Sequence, residues 1–326
     1  MKKTRDFLTT LGLPGGDLHE LPTSSKRFPD GAQYRVEIPS TEGPAALEAI
    51  IEEAQRYQLT VHRISQGSGV MLLTDEEIKS MARIAHAQNI EVSLFARPNA
   101  AWDTGAMAVS SGGKSISPRL RGQDQLVYCL EDVQRAAALG IRSVLLADEG
   151  ALWVAGEMRQ AGLLPQDMQF KISVMMASAN PAAIRLMERL GASTYNIPTD
   201  LTLAQIAAVR QAIDIPLDIY VEVPDDLGGF VRLYEIAELV RIAAPVYIKF
   251  GLRNAPNIYP AGKHIDNVSI ALSRERVRRA RIGLDLLNRY YPDAIASQPG
   301  AAGLALPVLE TTEIGSHHSP APEANR

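Results

Sequence analysis

Four charged residues stand in or just after short apolar runs of this chain: Glu37 within Tyr34-Arg35-Val36-Glu37-Ile38, Glu149 after Ser143 to Ala147, Glu222 near the end of Leu217 to Val223, and Lys249 within Val246 to Phe250. Carboxylates gathered at one site suit general acid–base catalysis, in which one group takes a proton that another returns. A lysine among apolar residues can hold a carboxylate or phosphate. If burial or a second cation such as Lys171 lowers its pKa, it can instead attack a carbonyl and form a Schiff base. Arg97, Gln66, Asn196 and Arg253 end other runs and are candidates for binding a polar substrate, with Trp102 in a long loop as a further one. Gly228, Gly229 and Gly251 follow the last two runs, where backbone N–H groups can receive phosphate. For Glu37 and Glu222 the competing reading is structural, an ion pair with Arg35 or Lys171, because an interior carboxylate must be paired. Glu37, Glu149 and Glu222 together would also suit a hard divalent ion such as magnesium, although no ligand spacing supports one and the metal is left unknown.

Positioning these groups falls to eight short runs, expected as strands at 34–39, 61–65, 91–97, 143–147, 170–177, 194–198, 217–223 and 246–250. Leu217, Ile219, Val221 and Val223 alternate with Asp218, Tyr220 and Glu222, which predicts one face against helices and a charged face inside. The same alternation predicts that Glu37, Ser93, Lys171, Glu222 and Lys249 all point inward. Helical periodicity separates the strands; Thr74 and Glu77 form a capping box, and further helices are expected over 127–139, 203–213 and about 265–291. Eight strand–helix units in sequence predict an α/β fold, a closed (β/α)8 TIM barrel, as a single domain over 31–293 with an N-terminal extension (1–30) and a flexible C-terminal tail (294–326). The alternative is an open doubly wound sheet, but Ile38-Pro39-Ser40-Thr41-Glu42-Gly43 stands where a glycine-rich dinucleotide loop would be. In barrels the reacting groups lie at the carboxyl ends of strands. The stretch from Pro98 to Gly122 is long for a structureless connection and would serve as a lid over that mouth.

With 326 residues and a formal charge of −4, the chain offers no basic face for nucleic acid or an anionic membrane, so the expected partner is a small molecule; a homo-oligomer is allowed. A lone Cys129 excludes a disulfide framework and an iron–sulfur cluster built on cysteines of this chain. Met1-Lys2-Lys3 is followed by no apolar signal segment, and no apolar run reaches about 18 residues, so a cytoplasmic, soluble protein is expected. Gln66-Gly67-Ser68-Gly69 lacks the spacing of a hydrolase nucleophile elbow. His62 is the one histidine on an expected strand.

Val221-Glu222-Val223-Pro224-Asp225-Asp226-Leu227-Gly228-Gly229-Phe230 and Ile248-Lys249-Phe250-Gly251-Leu252-Arg253-Asn254 resemble the collagenase-like peptidases, family thirty-two of the unclassified peptidases. That resemblance implies a barrel and a peptidase-like hydrolase. Members of the wider family hold iron–sulfur clusters on cysteines; the cysteine signature is absent here, so that cofactor does not carry over and the chain resembles a divergent branch. The residues themselves point to a barrel enzyme acting on a small anionic or polar metabolite, with acid–base chemistry from Glu222 and Glu37 or Glu149, and with Lys249 and Arg97 holding negative charge. Hydrolysis and carbon–carbon lyase chemistry are both open. So are an aldolase that uses Lys249 as Schiff-base nucleophile and a non-catalytic binding or scaffold barrel.

Overall fold

The computed structural model describes residues 1–97 and 119–309. Eight parallel strands close into a barrel in sequence order. They are β1 (Tyr34–Pro39), β2 (Arg63–Ser65), β3 (Glu91–Phe95), β4 (Ser143–Leu146), β5 (Gln169–Ile172), β6 (Thr194–Asn196), β7 (Leu217–Glu222) and β8 (Val246–Phe250). β8 returns to β1, with Tyr34 against Val246 and Glu37 against Lys249, and this pairing leaves no free edge. After a leading helix α1 (Lys2–Thr10), the outer layer is formed by α2 (Pro44–Arg56), α3 (Asp75–Ala87), α4 (Gly122–Ala138), α5 (Glu149–Gln160), α6 (Pro181–Arg189), α7 (Leu203–Ala212), α8 (Ile236–Ala243) and α9 (Asp266–Tyr290). No helix among the described residues is long and apolar enough to cross a membrane.

The alternation along the strands decides which side chain goes where. Val36, Ile38, Ile64, Val92, Leu94, Val144, Phe170 and Ile248 are buried in the layer between strands and helices, so the polar residues between them face the axis. Side chains start the helices on the mouth side. Thr74 and Glu77 close the expected capping box, Thr202 and Gln205 form a second, and Asp148 and Asn180 accept from the amides of Ala151 and Ala183.

Two elements differ from expectation. β5 stops at Ile172, because the Ser173 hydroxyl accepts from the Met175 amide and a 3-10 turn follows, ending at Ala177 with φ 57°. The expected sidedness survives the turn: Met176 packs in the outer core, and Met175 packs inside against Phe95 and Leu145. The segment from 294, expected as a flexible tail, is packed under the barrel as far as Val308. There Ser297 N bonds to Tyr34 O (3.1 Å), Val308 N to Gly140 O (2.8 Å), and Arg35 donates to Ser297 Oγ (2.9 Å) and Ala302 O (2.7 Å). Those partners come from long-range folding, which composition does not register. The N-terminal extension runs along the helices: Arg185 donates to the carbonyls of Leu11 and Gly12, and Arg241 to that of Leu21. The expected lid lies outside the described residues for its 98–118 part.

Gly251 leaves β8 where the chain crosses the end of β7. A Cβ there would stand 2.7 Å from Pro224 Cδ and 2.9 Å from the Glu222 carbonyl oxygen. Neither atom belongs to a flexible side-chain end, so Gly251→Ala should destabilise by about 1–3 kcal/mol, read as a lower urea midpoint with unchanged m-value.

Candidate functional site

Six strands send charges to one point inside the barrel. From β1, Glu37 Oε2 meets Arg63 Nε (2.7 Å) of β2 and Lys171 Nζ (2.5 Å) of β5; Glu37 Oε1 accepts from Ser65 Oγ (2.7 Å) and lies 3.2 Å from Lys249 Nζ of β8. Asp218 of β7 pairs with Arg63 and, at 2.9 Å, with Lys171, and it accepts from Thr194 Oγ1 at 3.0 Å. Glu91 of β3 is the third carboxylate, 3.6 Å from Arg63 Nη1. Arg63 stacks its guanidinium 3.4 Å from the Tyr247 ring centroid. Glu37, Arg63 and Asp218 are fully enclosed, and Lys171 and Lys249 are 1% and 2% exposed.

Three carboxylates facing three cations offset the cost of burying each charge. Burial pushes the Glu37 carboxyl up, but Arg63, Lys171 and Lys249 outweigh it and hold it well below the ordinary range. Burial also works against the Arg63 charge, and Asp218, Glu37 and Glu91 more than offset it, so Arg63 is held well above its usual value. For Lys171, burial followed by Arg63 brings the ammonium down to about 8 against the opposing pull of Asp218 and Glu37.

Above this cluster, toward the carboxyl ends, lies a second tier. Lys249 Nζ sits 4.3 Å from the Tyr220 ring centroid. The Asn196 amide, in the orientation that satisfies both of its ends, accepts from Lys249 Nζ (2.7 Å) and donates to the Asp218 carbonyl (3.1 Å). Across the mouth Arg97 is 6% exposed and stacks 4.4 Å from the Phe95 ring centroid, and burial lowers its pKa to about 10. Glu42 accepts from the amides of Gly67 (2.8 Å) and Ser68 (3.0 Å), and Tyr259, from the loop after β8, lies against Gly67 and bonds Ser40.

The sequence candidates therefore divide. Glu37, Lys249 and Asn196 come together; Arg97 joins the same mouth. Ser93 and Lys171 face inward as expected. Glu222 does not join them: the β7–β8 register shifts between Tyr220 and Glu222, and its carboxylate accepts from Arg253 N (3.1 Å) and pairs with Arg279 of α9 (3.6 Å), leaving Oε2 without a hydrogen bond. Strict alternation fails across a bulge. Glu149 opens α5 in a half-exposed pair with Arg119, and Asp148 beside it is spent as the helix cap. The trio Glu37, Glu149 and Glu222 thus has three separate sets of partners, and no group of three metal-binding side chains occurs among the described residues. Gln66 bonds both the amide (3.0 Å) and the carbonyl (3.2 Å) of Gly69 and so shapes its own loop. Gly228, Gly229 and Gly251 give their N–H groups to the carbonyls of Asp225, Pro224 and Glu222, which removes them as phosphate donors. Arg253 lies at the mouth, 3.9 Å from Asp225. Trp102 lies outside the described residues.

Arg63, Glu91 and Asp218 are the cluster members absent from the sequence candidates, and Arg63 is the central one. The run 61–65 drew attention to His62, yet Ile64 packs in the outer core, so Arg63 and Ser65 are the inward pair. His62 is structural: Nδ1 accepts from Val36 N (3.0 Å), Nε2 meets Ser297 O (2.8 Å), and burial drives its pKa down to about 4. Cys129 is buried, with its thiol pushed up to about 12 by burial, which makes it a poor nucleophile. A surface pocket lined by Ile51, Gln55, Gln58, Thr60, Gln88 and Pro299 lies at the amino ends of β2 and β3, away from the mouth.

Residues 120–222, from the start of α4 to the end of β7, match the family model described as Peptidase family U32, so this part of the chain resembles that family. The match takes in Lys171, Asn196 and Asp218 but stops short of Lys249. No curated protein matches. Among solved structures the chain is similar to the U32 peptidase Mk0906, at 17% identity over 61% of this chain and 73% of that one, TM-score 0.39. It is also similar to a truncated 3-deoxy-D-arabino-heptulosonate 7-phosphate synthase from Thermotoga maritima, at 12% identity over 86% and 96%, TM-score 0.38. The barrel assignment rests on the closed strand ladder and not on these likenesses.

Proposed function

We propose that this protein is a barrel enzyme acting on a small anionic or polar metabolite bound at the carboxyl ends of the strands, with Lys249 holding the negative charge. The observation that carries the reading is the electrostatic position of Lys249. Its ion pair is with Glu37 at 3.2 Å, and that carboxylate is already engaged more closely by Arg63 and Lys171. Of the three cations around Glu37, Lys249 makes the longest ion pair and stands nearest the mouth, so an incoming carboxylate or phosphate would gain the most from it. Arg97 supports the same polarity from the opposite wall. Glu37 is a weak base because its three cations suppress its affinity for a proton. Glu222, turned toward Arg279 of α9, is left out of this reading.

The test is a thermal-shift and calorimetric panel of small carboxylates and phosphate esters. Wild type should be stabilised by at least one compound class, and Lys249→Gln should bind it about tenfold or more weakly, the worth of one charged hydrogen bond. Equal affinity in wild type and variant would remove Lys249 from the site. Borohydride reduction in the presence of carbonyl members of the panel separates the second reading: a trapped adduct on Lys249 makes it a nucleophile and the enzyme a lyase.

A further inference from the structure

We infer that the barrel encloses a small buried water site between β3 and β4, about one or two molecules, held by Ser93, Ser143, Glu91 and Arg63. The strands contribute unequally to the interior. Most strands send long charged or aromatic side chains, Glu91 and Phe95 of β3 among them, whereas Ser65, Ser93 and Ser143 stand directly beside one another across β2, β3 and β4. Their strand neighbours Ile64, Val92, Leu94 and Val144 pack outward, so the three hydroxyls face the axis.

The hydrogen bonding then stops midway along the row. Ser65 Oγ donates to Glu37 Oε1 at 2.7 Å. Ser93 Oγ and Ser143 Oγ, both on residues with 0% exposure, have no hydrogen-bond partner, and neither has Glu91 Oε1. The nearest cation to that oxygen, Arg63 Nη1, stands at 3.6 Å, too far for a direct bond, and its contact with Thr194 Oγ1 is long at 3.4 Å. A hydroxyl turns freely about its C–O bond and takes a partner where one exists, and an unbonded buried hydroxyl is costly. Three buried polar groups without a partner, with Arg63 beside Glu91 and small side chains along the row, supply the two to four polar partners that an ordered water needs.

The site is closed at both ends. Phe95, Leu145, Ala147 and Met175 form an apolar layer on its mouth side. On the floor side Ala305 N donates to Glu91 Oε2 (3.3 Å), and Tyr247 OH approaches the same oxygen (3.5 Å). Water there exchanges slowly and belongs to the folded structure; it is distinct from solvent that a substrate at Lys249 would displace.

A high-resolution crystal structure of the wild type, together with oxygen-17 magnetic relaxation dispersion in solution, tests this. Density for water within hydrogen-bond reach of both serine hydroxyls is expected, as is a long-lived water signal that shrinks in the Ser93→Ala/Ser143→Ala double variant. If that variant does not fold, the single variants serve. They also give an independent reading through the sign of the melting shift: losing a water-bonded hydroxyl lowers Tm, whereas removing an unbonded one raises it. Absence of density between the hydroxyls in wild type, or a Ser93→Ala variant melting as high as wild type or higher, overturns the inference.

Discussion

Arg63→Met should destabilise the protein by about 3–5 kcal/mol, because it leaves three buried carboxylates with two lysines between them. Arg63 is fully buried and reaches Glu37 (2.5 Å), Asp218 and Glu91 (3.6 Å). Methionine replaces much of the volume but none of the charge, so the cost is that of uncompensated anions and not that of a cavity. Urea unfolding followed by circular dichroism measures it. Adding Asp218→Asn should recover part of the loss, since it removes one of the stranded charges, and the double-mutant cycle then gives a large coupling between the two positions. A loss under about 1 kcal/mol for Arg63→Met alone would mean that the interior is wet enough to screen its charges.

Glu37→Gln should cost a similar amount, about 3–5 kcal/mol, and should also change how stability depends on pH. Glu37 is the acceptor shared by Arg63, Lys171 and Lys249, and glutamine offers them an oxygen without a charge. In the folded protein its carboxyl lies well below the ordinary value of 4.5; as the chain unfolds it returns there. Between those two values the unfolded state binds more protons than the native state, so the stability that Glu37 contributes is fully present above 4.5 and is lost as pH falls through the folded value. Wild type should therefore lose stability steeply on acidification, whereas Glu37→Gln begins lower at neutral pH and falls less. Unfolding free energies from about pH 7 to about pH 3 separate the two profiles. Parallel profiles would show that Glu37 does not drive the acid transition.

Much of this architecture could be read from residue order. β1 and β8 lie where expected to the residue, Tyr34–Pro39 and Val246–Phe250, because each alternates cleanly and is bounded by Pro or Gly punctuation. The boundaries that moved are those set by partners outside the strand: β5 was shortened by the Ser173 turn, and the chain after Pro292 was ordered by Arg35, His62 and Glu91 reaching down from the barrel floor. Among candidate site residues, Glu37 and Lys249 were legible because alternation assigns a side and the strand position assigns a depth. The glycines were misleading for the opposite reason. Gly228, Gly229 and Gly251 occupy plausible phosphate positions, but whether an amide is available depends on the carbonyl opposite it, and in each case one is present.

The sequence by itself determined that eight short strands alternate with helices and that the inner face of the resulting barrel is charged. Both follow from local periodicity, which each segment carries whatever its neighbours do. Only the tertiary structure decided which charges meet. Arg63, Lys171, Asp218 and Lys249 come from strands far apart in the chain, and their pairing depends on the register and stagger of the closed ring. One shifted residue in β7 was enough to send Glu222 toward Arg279 of α9, while Asp218 and Tyr220 before it stayed inside. Alternation fixes a direction only while the ladder is regular, and a bulge is set by how the neighbouring strand fits.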